Sequence, residues 1–213
     1  MPQMEMRILE LLCSRLCHDL VGPIGAVNNG IELLEESDPA MASEVLPLVT
    51  TSARQAWRRL DFFRVAFGFA GGRTSWPAAD LRRYASGWLE DGKARLDWPE
   101  GPPGEAGELD GSAAKLLLNM ILLGAEALPR GGRVSVALQA AGPVSRIGVT
   151  AAGPVAALHE RVAAVLEGPS GAEDVEARTV QAYFTRRLAD AMGASLRLDR
   201  GEGRLTLLAD APC

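Results

Sequence analysis

The amino-acid sequence predicts an α+β protein with two domains: an N-terminal helical hairpin that forms a dimeric four-helix bundle, and a C-terminal α/β sandwich. Three observations predict it. Residues 5–36 and 45–70 carry apolar and small residues at alternating steps of four and three, the spacing of a helical seam. A glycine pair at 71–72 ends this period, and strand-like runs then alternate with helical segments. We therefore place the domains at residues 1–71 and 72–213.

The two N-terminal helices are predicted to form a hairpin that dimerises. The seam of the first helix consists of Cys13, Cys17, Leu20, Ile24, Val27, Ile31 and Leu34. Ser37, Asp38 and Pro39 break the pattern and predict a short turn before the second helix. The seam of the second helix consists of Val45, Val49, Ser52, Ala56, Leu60, Phe63, Phe67 and Ala70. Two helices alone cannot hide two long apolar seams from water, so we predict a homodimer in which two hairpins form a four-helix bundle.

The C-terminal domain is predicted to pack helices against a sheet. Helical patterns span residues 80–91, 111–128, 155–166 and 176–192. Strand patterns span residues 94–98, 133–139, 145–150, 195–199 and 204–209. Turn residues at 141–143 and 201–203 separate consecutive strands and predict two antiparallel hairpins. Helices mixed with antiparallel hairpins favour an α+β sandwich in which helices cover one face of the sheet.

Composition excludes several classes of protein. The 213 residues include 22 Lys plus Arg against 27 Asp plus Glu, a net charge of −5, and the basic residues are scattered, so we expect no nucleic-acid partner. No apolar stretch approaches the ~20 residues that cross a bilayer and no leader-like segment opens the chain, so we expect a cytoplasmic protein without membrane contact. Cys13, Cys17 and Cys213 lack the spacing of a zinc site and are expected to be reduced thiols.

His18 is the candidate functional residue of the first helix. At about 100° per residue, its side chain points away from the apolar seam. Asp19 follows directly, and Pro23 removes the hydrogen bond to the Asp19 carbonyl, which predicts a bend one turn beyond the histidine. A neutral imidazole is nucleophilic, and a neighbouring carboxylate can orient it and accept its proton. These residues predict a phosphoacceptor; a surface histidine without a role is the alternative that helix geometry alone leaves open.

The face of the helix around His18 is a candidate docking surface. Helical spacing places Ser14, Arg15, Gly22, Gly25 and Asn29 around the imidazole ring. A glycine inside a helix costs about 1 kcal/mol relative to alanine, so the two glycines indicate a surface that another backbone approaches closely. The alternative is that they only relieve the bend at the proline.

The first helix contains the segment His18-Asp19-Leu20-Val21-Gly22-Pro23-Ile24. This segment resembles the H-box of histidine kinase dimerisation and phosphotransfer domains, in which His, an acid, Leu, two variable residues, Pro and an aliphatic residue follow one another. Over residues 12–20 and 23–30 the chain resembles more narrowly the ChpT-type histidine phosphotransferases of alphaproteobacterial cell-cycle phosphorelays. The resemblance spans nearly the whole chain and implies that the C-terminal domain is a degenerate histidine-kinase ATPase-like domain.

The residues that bind nucleotide in such kinases are largely missing from this sequence. Asn119 stands at the first Asn of the nucleotide-binding helix and is expected to be isolated, because Leu123 replaces the second Asn, which helps hold Mg²⁺. Ala151 stands where the family has its adenine-binding Asp. Residues 174–179 carry two acids and no glycine where kinases have a phosphate-binding loop. The resemblance therefore implies a domain that does not bind or hydrolyse ATP.

The resemblance implies a phosphotransferase that works through a phosphohistidine. His18 would accept a phosphoryl group from the receiver Asp of a hybrid histidine kinase, CckA, and pass it to the response regulators CtrA and CpdR, while Asp19 orients the ring or takes up its proton. The receiver would supply the acidic pocket and Mg²⁺, so this chain needs no cofactor of its own. Two alternatives are an ATP-dependent histidine kinase and a non-catalytic dimeric scaffold.

Three further features carry weaker expectations. The second helix is basic, with Arg54, Arg58, Arg59 and Arg64. Some of these arginines are hypothesised to meet the acidic rim of a receiver, and pairing with acids of the first helix is the alternative. His159 is expected to be a solvated surface residue. Trp57 and Trp76 lie near the domain junction and are candidates for packing the two domains together, with plain core residues as the alternative.

Overall fold

The N-terminal part of the computed structural model is a hairpin of two long helices. The structure describes residues 2–36, 39–68, 75–100, 107–141, 144–168, 171 and 175–212. Helix α1 spans Pro2–Glu36 and α2 spans Pro39–Ala66. Proline at the first position of α2 is favourable because its missing N–H would have no partner there. The predicted hairpin is confirmed, although Ser37 and Asp38 of the predicted turn lie outside the described residues.

The predicted seam of α1 is only partly covered by α2. Leu20, Val27 and Leu34 are half-buried, whereas Ile24 and Ile31 stay 54% and 45% exposed. Close helix contact occurs where α1 carries Gly30, which is buried against α2. Cys13 and Cys17 of the same seam are exposed free thiols, and Cys213 lies outside the described residues. One stripe of the hairpin therefore remains open to solvent.

The C-terminal part is a five-stranded sheet covered by helices. Its helices are α3 (Ala78–Leu89), α4 (Gly111–Glu126), α5 (Glu160–Glu167) and α6 (Val180–Ala191). Its strands are β1 (Ser75–Pro77), β2 (Ala94–Asp97), β3 (Glu108–Asp110), β4 (Gly132–Ala141), β5 (Val144–Ala152), β6 (Ser195–Gly201) and β7 (Arg204–Pro212). The sheet order is β2-β4-β5-β7-β6, and β1 pairs separately with β3.

The sheet is mixed. Both predicted antiparallel hairpins, β4–β5 and β6–β7, are present, but β2 runs parallel to β4. The chain passes from β2 to β4 through the buried helix α4, the kind of crossover that parallel neighbours require. Strands β1 and β3 were not predicted, because three residues are too few to show a period.

Two helices begin later than the sequence pattern indicated. Helix α5 begins at Glu160, not at residue 155, because His159 caps it: the His159 Nδ1 accepts a hydrogen bond from the Arg161 N–H at 3.3 Å. His159 is exposed as expected, but it has this capping role. Helix α6 begins at Val180, not at residue 176, because residues 177–179 form a turn before it.

The hairpin and the sheet domain share one apolar core. Helix α4 is buried on all sides over residues 116–124, and Asp110 caps its start by accepting hydrogen bonds from the N–H groups of residues 112 and 113 at 2.7 and 3.0 Å. Phe62, Phe63 and Ala66 at the end of α2 lie in the same buried cluster as α3 and α4. The predicted domain boundary at 71–72 lies outside the described residues.

A second, smaller cluster joins the start of α1 to α6. Leu12 packs there with Val175 and Val180, all three of them buried. The helix that carries His18 is therefore supported by the sheet domain as well as by α2. Along the ranges given above, no helix combines the length and apolar character needed to cross a bilayer.

Candidate functional site

The His18 imidazole projects from the middle of α1 into solvent. Its side chain is 85% exposed, as the helical phase predicted. The ring Nδ1 lies 3.3 Å from Oδ1 of Asp19, whose side chain is only 25% exposed. A carboxylate can only accept this hydrogen bond, so it favours the tautomer with hydrogen on Nδ1. The lone pair of Nε2 is then directed to solvent, which is the state that a nucleophilic imidazole requires.

The surface beside His18 is open. Ser14, Gly22 and Asn29 are exposed and Gly25 is half-buried, so these predicted docking residues share an accessible region of α1. A Cβ placed on Gly22 or Gly25 would meet nothing within 4 Å. Neither glycine is therefore required by packing inside the chain, and the space above them is free for a partner.

Arg15 was predicted on the same docking surface, but it is held within the chain. Its guanidinium forms an ion pair with Glu126, at the end of α4, and the two side chains are 23% and 33% exposed. This ion pair joins α1, one turn before His18, to the end of α4 in the sheet domain. Nothing in the sequence pattern indicated the contact, because its partners are 111 residues apart.

Arg58 and Arg59 are also occupied within the chain, which argues against the hypothesis that they face a receiver. Arg58 donates to both carboxylate oxygens of Asp91 at 2.8 and 2.9 Å. Arg59 donates to the backbone carbonyl of Asp19 and stacks over the Trp88 ring at 5.6 Å. Arg58 therefore connects α2 to Asp91, just after α3, and Arg59 connects α2 to α1 and to Trp88 of α3.

Trp88 occupies the junction for which two other tryptophans were considered. Trp57 is 66% exposed, so it does not pack the domains together, and Trp76 is a core residue against Tyr84. Trp88 instead packs on Phe62 and Phe63, with ring centroids 5.1 Å apart in each case. The Trp88 side chain therefore links α3 to the end of α2.

Asn119 is fully buried and is not isolated, contrary to the sequence-based expectation. Its Nδ2 donates to the carbonyls of Ala66 and Lys115 at 2.9 and 2.8 Å. Its Oδ1 accepts from Nε2 of Gln181 at 2.6 Å. The side chain thus binds the end of α2 to α4 and α6, and both ends of its amide are already occupied.

Several other positions that the resemblance relates to the kinases' nucleotide site are buried or paired within the chain. Leu123 and Ala151 are fully buried. At Gly153, just after β5, an added Cβ would lie 2.6 Å from the Gly131 carbonyl oxygen. Glu176 forms an ion pair with Arg161 at 2.8 Å, which lowers the pKa of that carboxyl, and residues 172–174 lie outside the described residues. Over the part of the chain that the structure describes, no three His, Cys, Asp or Glu side chains gather into a metal-binding set.

Comparisons with known proteins match this chain to phosphotransferases and, at low identity, to the fold of a histidine kinase. A family model described as the histidine phosphotransferase C-terminal domain matches residues 78–204. The protein phosphotransferase ChpT of Brucella abortus (strain 2308) is 35% identical over 189 residues, which cover 88% of each chain. A solved bacterial phosphotransferase matches with a TM-score of 0.81 and 32% identity over 96% of both chains. The histidine kinase ThkA, solved in complex with the response regulator protein TrrA, matches with a TM-score of 0.51 and 15% identity over 99% of this chain and 63% of that one.

Proposed function

The chain belongs to the histidine phosphotransferase family, and on that premise we propose that His18 carries a phosphoryl group between two receiver domains of a phosphorelay. The observation that carries this assignment is the exposed imidazole whose Nδ1 is paired with Asp19, so that Nε2 faces solvent. Following the resemblance to ChpT-type proteins, we propose that the donor is the receiver of a CckA-type hybrid kinase and that the acceptors are CtrA- and CpdR-type response regulators. All of these proteins are proposed to act in the cytoplasm.

The proposed transfer changes no oxidation state, and each bond that forms to phosphorus replaces one that breaks. The Nε2 lone pair of His18 forms the N–P bond while the P–O bond of the donor's aspartyl phosphate breaks, and that electron pair stays on the donor carboxylate. The imidazolium that results holds its proton on Nδ1, facing Oδ1 of Asp19. In the second transfer, an acceptor carboxylate oxygen attacks phosphorus and the N–P electron pair returns to Nε2.

The receiver is proposed to supply Mg²⁺, and this chain to supply geometry. Phosphoryl transfer depends mainly on in-line positioning and on neutralising charge around phosphorus. An exposed, oriented imidazole on a supported helix meets the first requirement. ThkA, which shares the fold of this chain, was solved in complex with a response regulator protein. That complex supports a receiver domain as the partner proposed here.

We propose that ATP is not the phosphoryl source. Asn119 already uses both ends of its amide in contacts inside the protein, so binding a nucleotide-associated cation there would break a buried network. Leu123 offers no oxygen ligand to a hard cation. These packed positions favour the phosphotransferase over the ATP-dependent kinase.

The active form is proposed to be a homodimer built on the hairpin. Three apolar side chains that are between 45% and 66% exposed follow one face of α1: Val21, Ile24 and Ile31. Burying such a stripe against a second hairpin would complete a four-helix bundle. Sedimentation at micromolar protein is expected to show a dimer, and a stable monomer would contradict this part of the proposal.

The deciding experiment compares the two histidines of the chain. The full-length protein is incubated with the ³²P-labelled receiver of a candidate hybrid kinase, and separately with labelled ATP alone. Wild type and His159→Ala are expected to take up acid-labile label from the receiver, whereas His18→Ala takes up none. Uptake by His18→Ala would refute the assignment of His18. Uptake from ATP alone would make the protein a kinase, and no uptake from a competent donor would favour a scaffold.

A further inference from the structure

A backbone carbonyl beside His18 lacks its usual helical donor. In an α-helix the Asp19 carbonyl would accept from the N–H of residue 23, but residue 23 is a proline and has no N–H. Helix α1 nevertheless continues through this point to Glu36. A partly buried carbonyl without a donor costs free energy, so a replacement donor from elsewhere in the chain stabilises the helix at this point.

Arg59 of α2 provides that donor. Its Nη1 hydrogen bonds to the Asp19 carbonyl oxygen in a partly buried contact. The same guanidinium lies over the Trp88 ring at 5.6 Å, and Trp88 is packed on Phe62 and Phe63. The donor is thus held in place by an aromatic cluster of the shared core. A bond from a charged donor is about twice as strong as a neutral one, so this contact can stand in for the missing helical bond.

We propose that Arg59 is a positioning residue for phosphotransfer: it supplies the hydrogen bond that Pro23 withholds, and so fixes the backbone from which His18 and Asp19 project. This rests on the proposed function of His18. The carbonyl belongs to Asp19 itself, so a movement of that peptide also moves the carboxylate that pairs with the imidazole. In-line transfer is sensitive to such shifts, since a displacement of about 1 Å can cost on the order of 100-fold in rate.

The test is a cycle of variants at Arg59 and Pro23. Arg59→Met keeps an apolar side chain near Trp88 but removes the donor, and we expect it to slow transfer at saturating phosphorylated receiver by on the order of 10-fold or more. The concentration of receiver that gives half-maximal rate should not change, because the substitution is not on the docking surface. Arg59→Lys, which retains a donor, should recover part of the rate.

Pro23→Ala makes the test specific, because alanine restores an N–H for the Asp19 carbonyl. In the Pro23→Ala background, Arg59→Met is expected to lose most of its effect on the rate. Arg58→Met is the matched control, because Arg58 bonds to Asp91 and should leave transfer unchanged. Equal slowing by Arg59→Met in both backgrounds, or no slowing in the wild-type background, would overturn the proposal.

A spectroscopic readout separates this inference from the proposed function. Ring ¹⁵N NMR shifts of His18 report which nitrogen carries the hydrogen, with His159 as the internal reference. Arg59→Met should move the His18 shifts toward those of a freely exchanging imidazole, and adding Pro23→Ala should restore them. If wild type takes no label from a receiver, the proposed function fails; unchanged His18 shifts in Arg59→Met would instead show that Arg59 does not position the ring.

Discussion

Asn119→Leu is expected to destabilise the protein strongly, because it opens a buried hydrogen-bond network. The Asn119 amide donates to Ala66 and Lys115 and accepts from Gln181, and both Asn119 and Gln181 are fully buried. Leucine has nearly the same size but can make none of these bonds. The carbonyl of Ala66 and the Nε2 of Gln181 would then be left buried without the partner that the structure gives them.

The magnitude follows from the two bonds whose partners are abandoned. Each is worth about 1 kcal/mol net, and each buried polar group left behind adds roughly another 1 kcal/mol or more. The cost of Asn119→Leu is therefore expected to be at least about 4 kcal/mol, a large share of the ~5–15 kcal/mol that stabilises a typical domain. Asn119→Asp should cost more at neutral pH, because a carboxylate oxygen would replace the donor that now faces the Ala66 and Lys115 carbonyls.

Urea unfolding followed by far-ultraviolet circular dichroism measures this cost, at one fixed protein concentration because the proposed dimerisation would contribute to stability. The matched control is the double variant Asn119→Leu/Gln181→Leu, which removes both partners of the buried amide pair. It is expected to cost less than the sum of the single variants by about 1–2 kcal/mol. A loss below about 0.5 kcal/mol for Asn119→Leu would refute the structural role assigned to this network.

Two further predictions concern the helix contact and the sheet. Gly30→Ala should destabilise the folded protein by about 1–3 kcal/mol, because the added Cβ would lie 2.3 Å from Cγ2 of Val49. Gly25→Ala, whose Cβ would enter open space, should stabilise the folded protein by ~0.5–1 kcal/mol in the same urea assay. Asp210 accepts a hydrogen bond from Arg146 at 2.5 Å, which lowers the pKa of the Asp210 carboxyl. This pair therefore stabilises the folded protein fully above the ordinary Asp pKa of about 3.9, and the stabilisation is lost as pH falls through the lowered pKa. Asp210→Asn should therefore cost about 1 kcal/mol at neutral pH and nothing in strong acid; a gap that persists in acid would contradict this.

The sequence predicted the hairpin, the five strands of the main sheet and the exposure of His18, because each depends on local periodicity. A helical seam shows which face of an amphipathic helix is apolar, and a polar residue on the opposite face is expected to be exposed. The three-residue strands β1 and β3 and the parallel pairing of β2 with β4 could not be read in this way. Pairing partners are set by the path of the whole chain.

The contacts around His18 were only partly accessible from the sequence. Pro23 showed that the Asp19 carbonyl loses its helical donor, but the pattern did not show that Arg59 replaces it. The pairing of Arg15 with Glu126 gave no local signal at all. Asn119 was read through the chemistry of kinases that bind nucleotide, whereas here the same residue type is used for packing.

The aromatic junction of Phe62, Phe63 and Trp88 limits how such proteins can exchange parts. A chimaera that joins this hairpin to the sheet domain of a relative would bring together ring surfaces that were never fitted to each other. Sequence drift in the last turns of α2 must therefore be matched by drift in α3. Inheritance of the two segments is coupled, although Trp88 lies 25 positions after Phe63 along the chain.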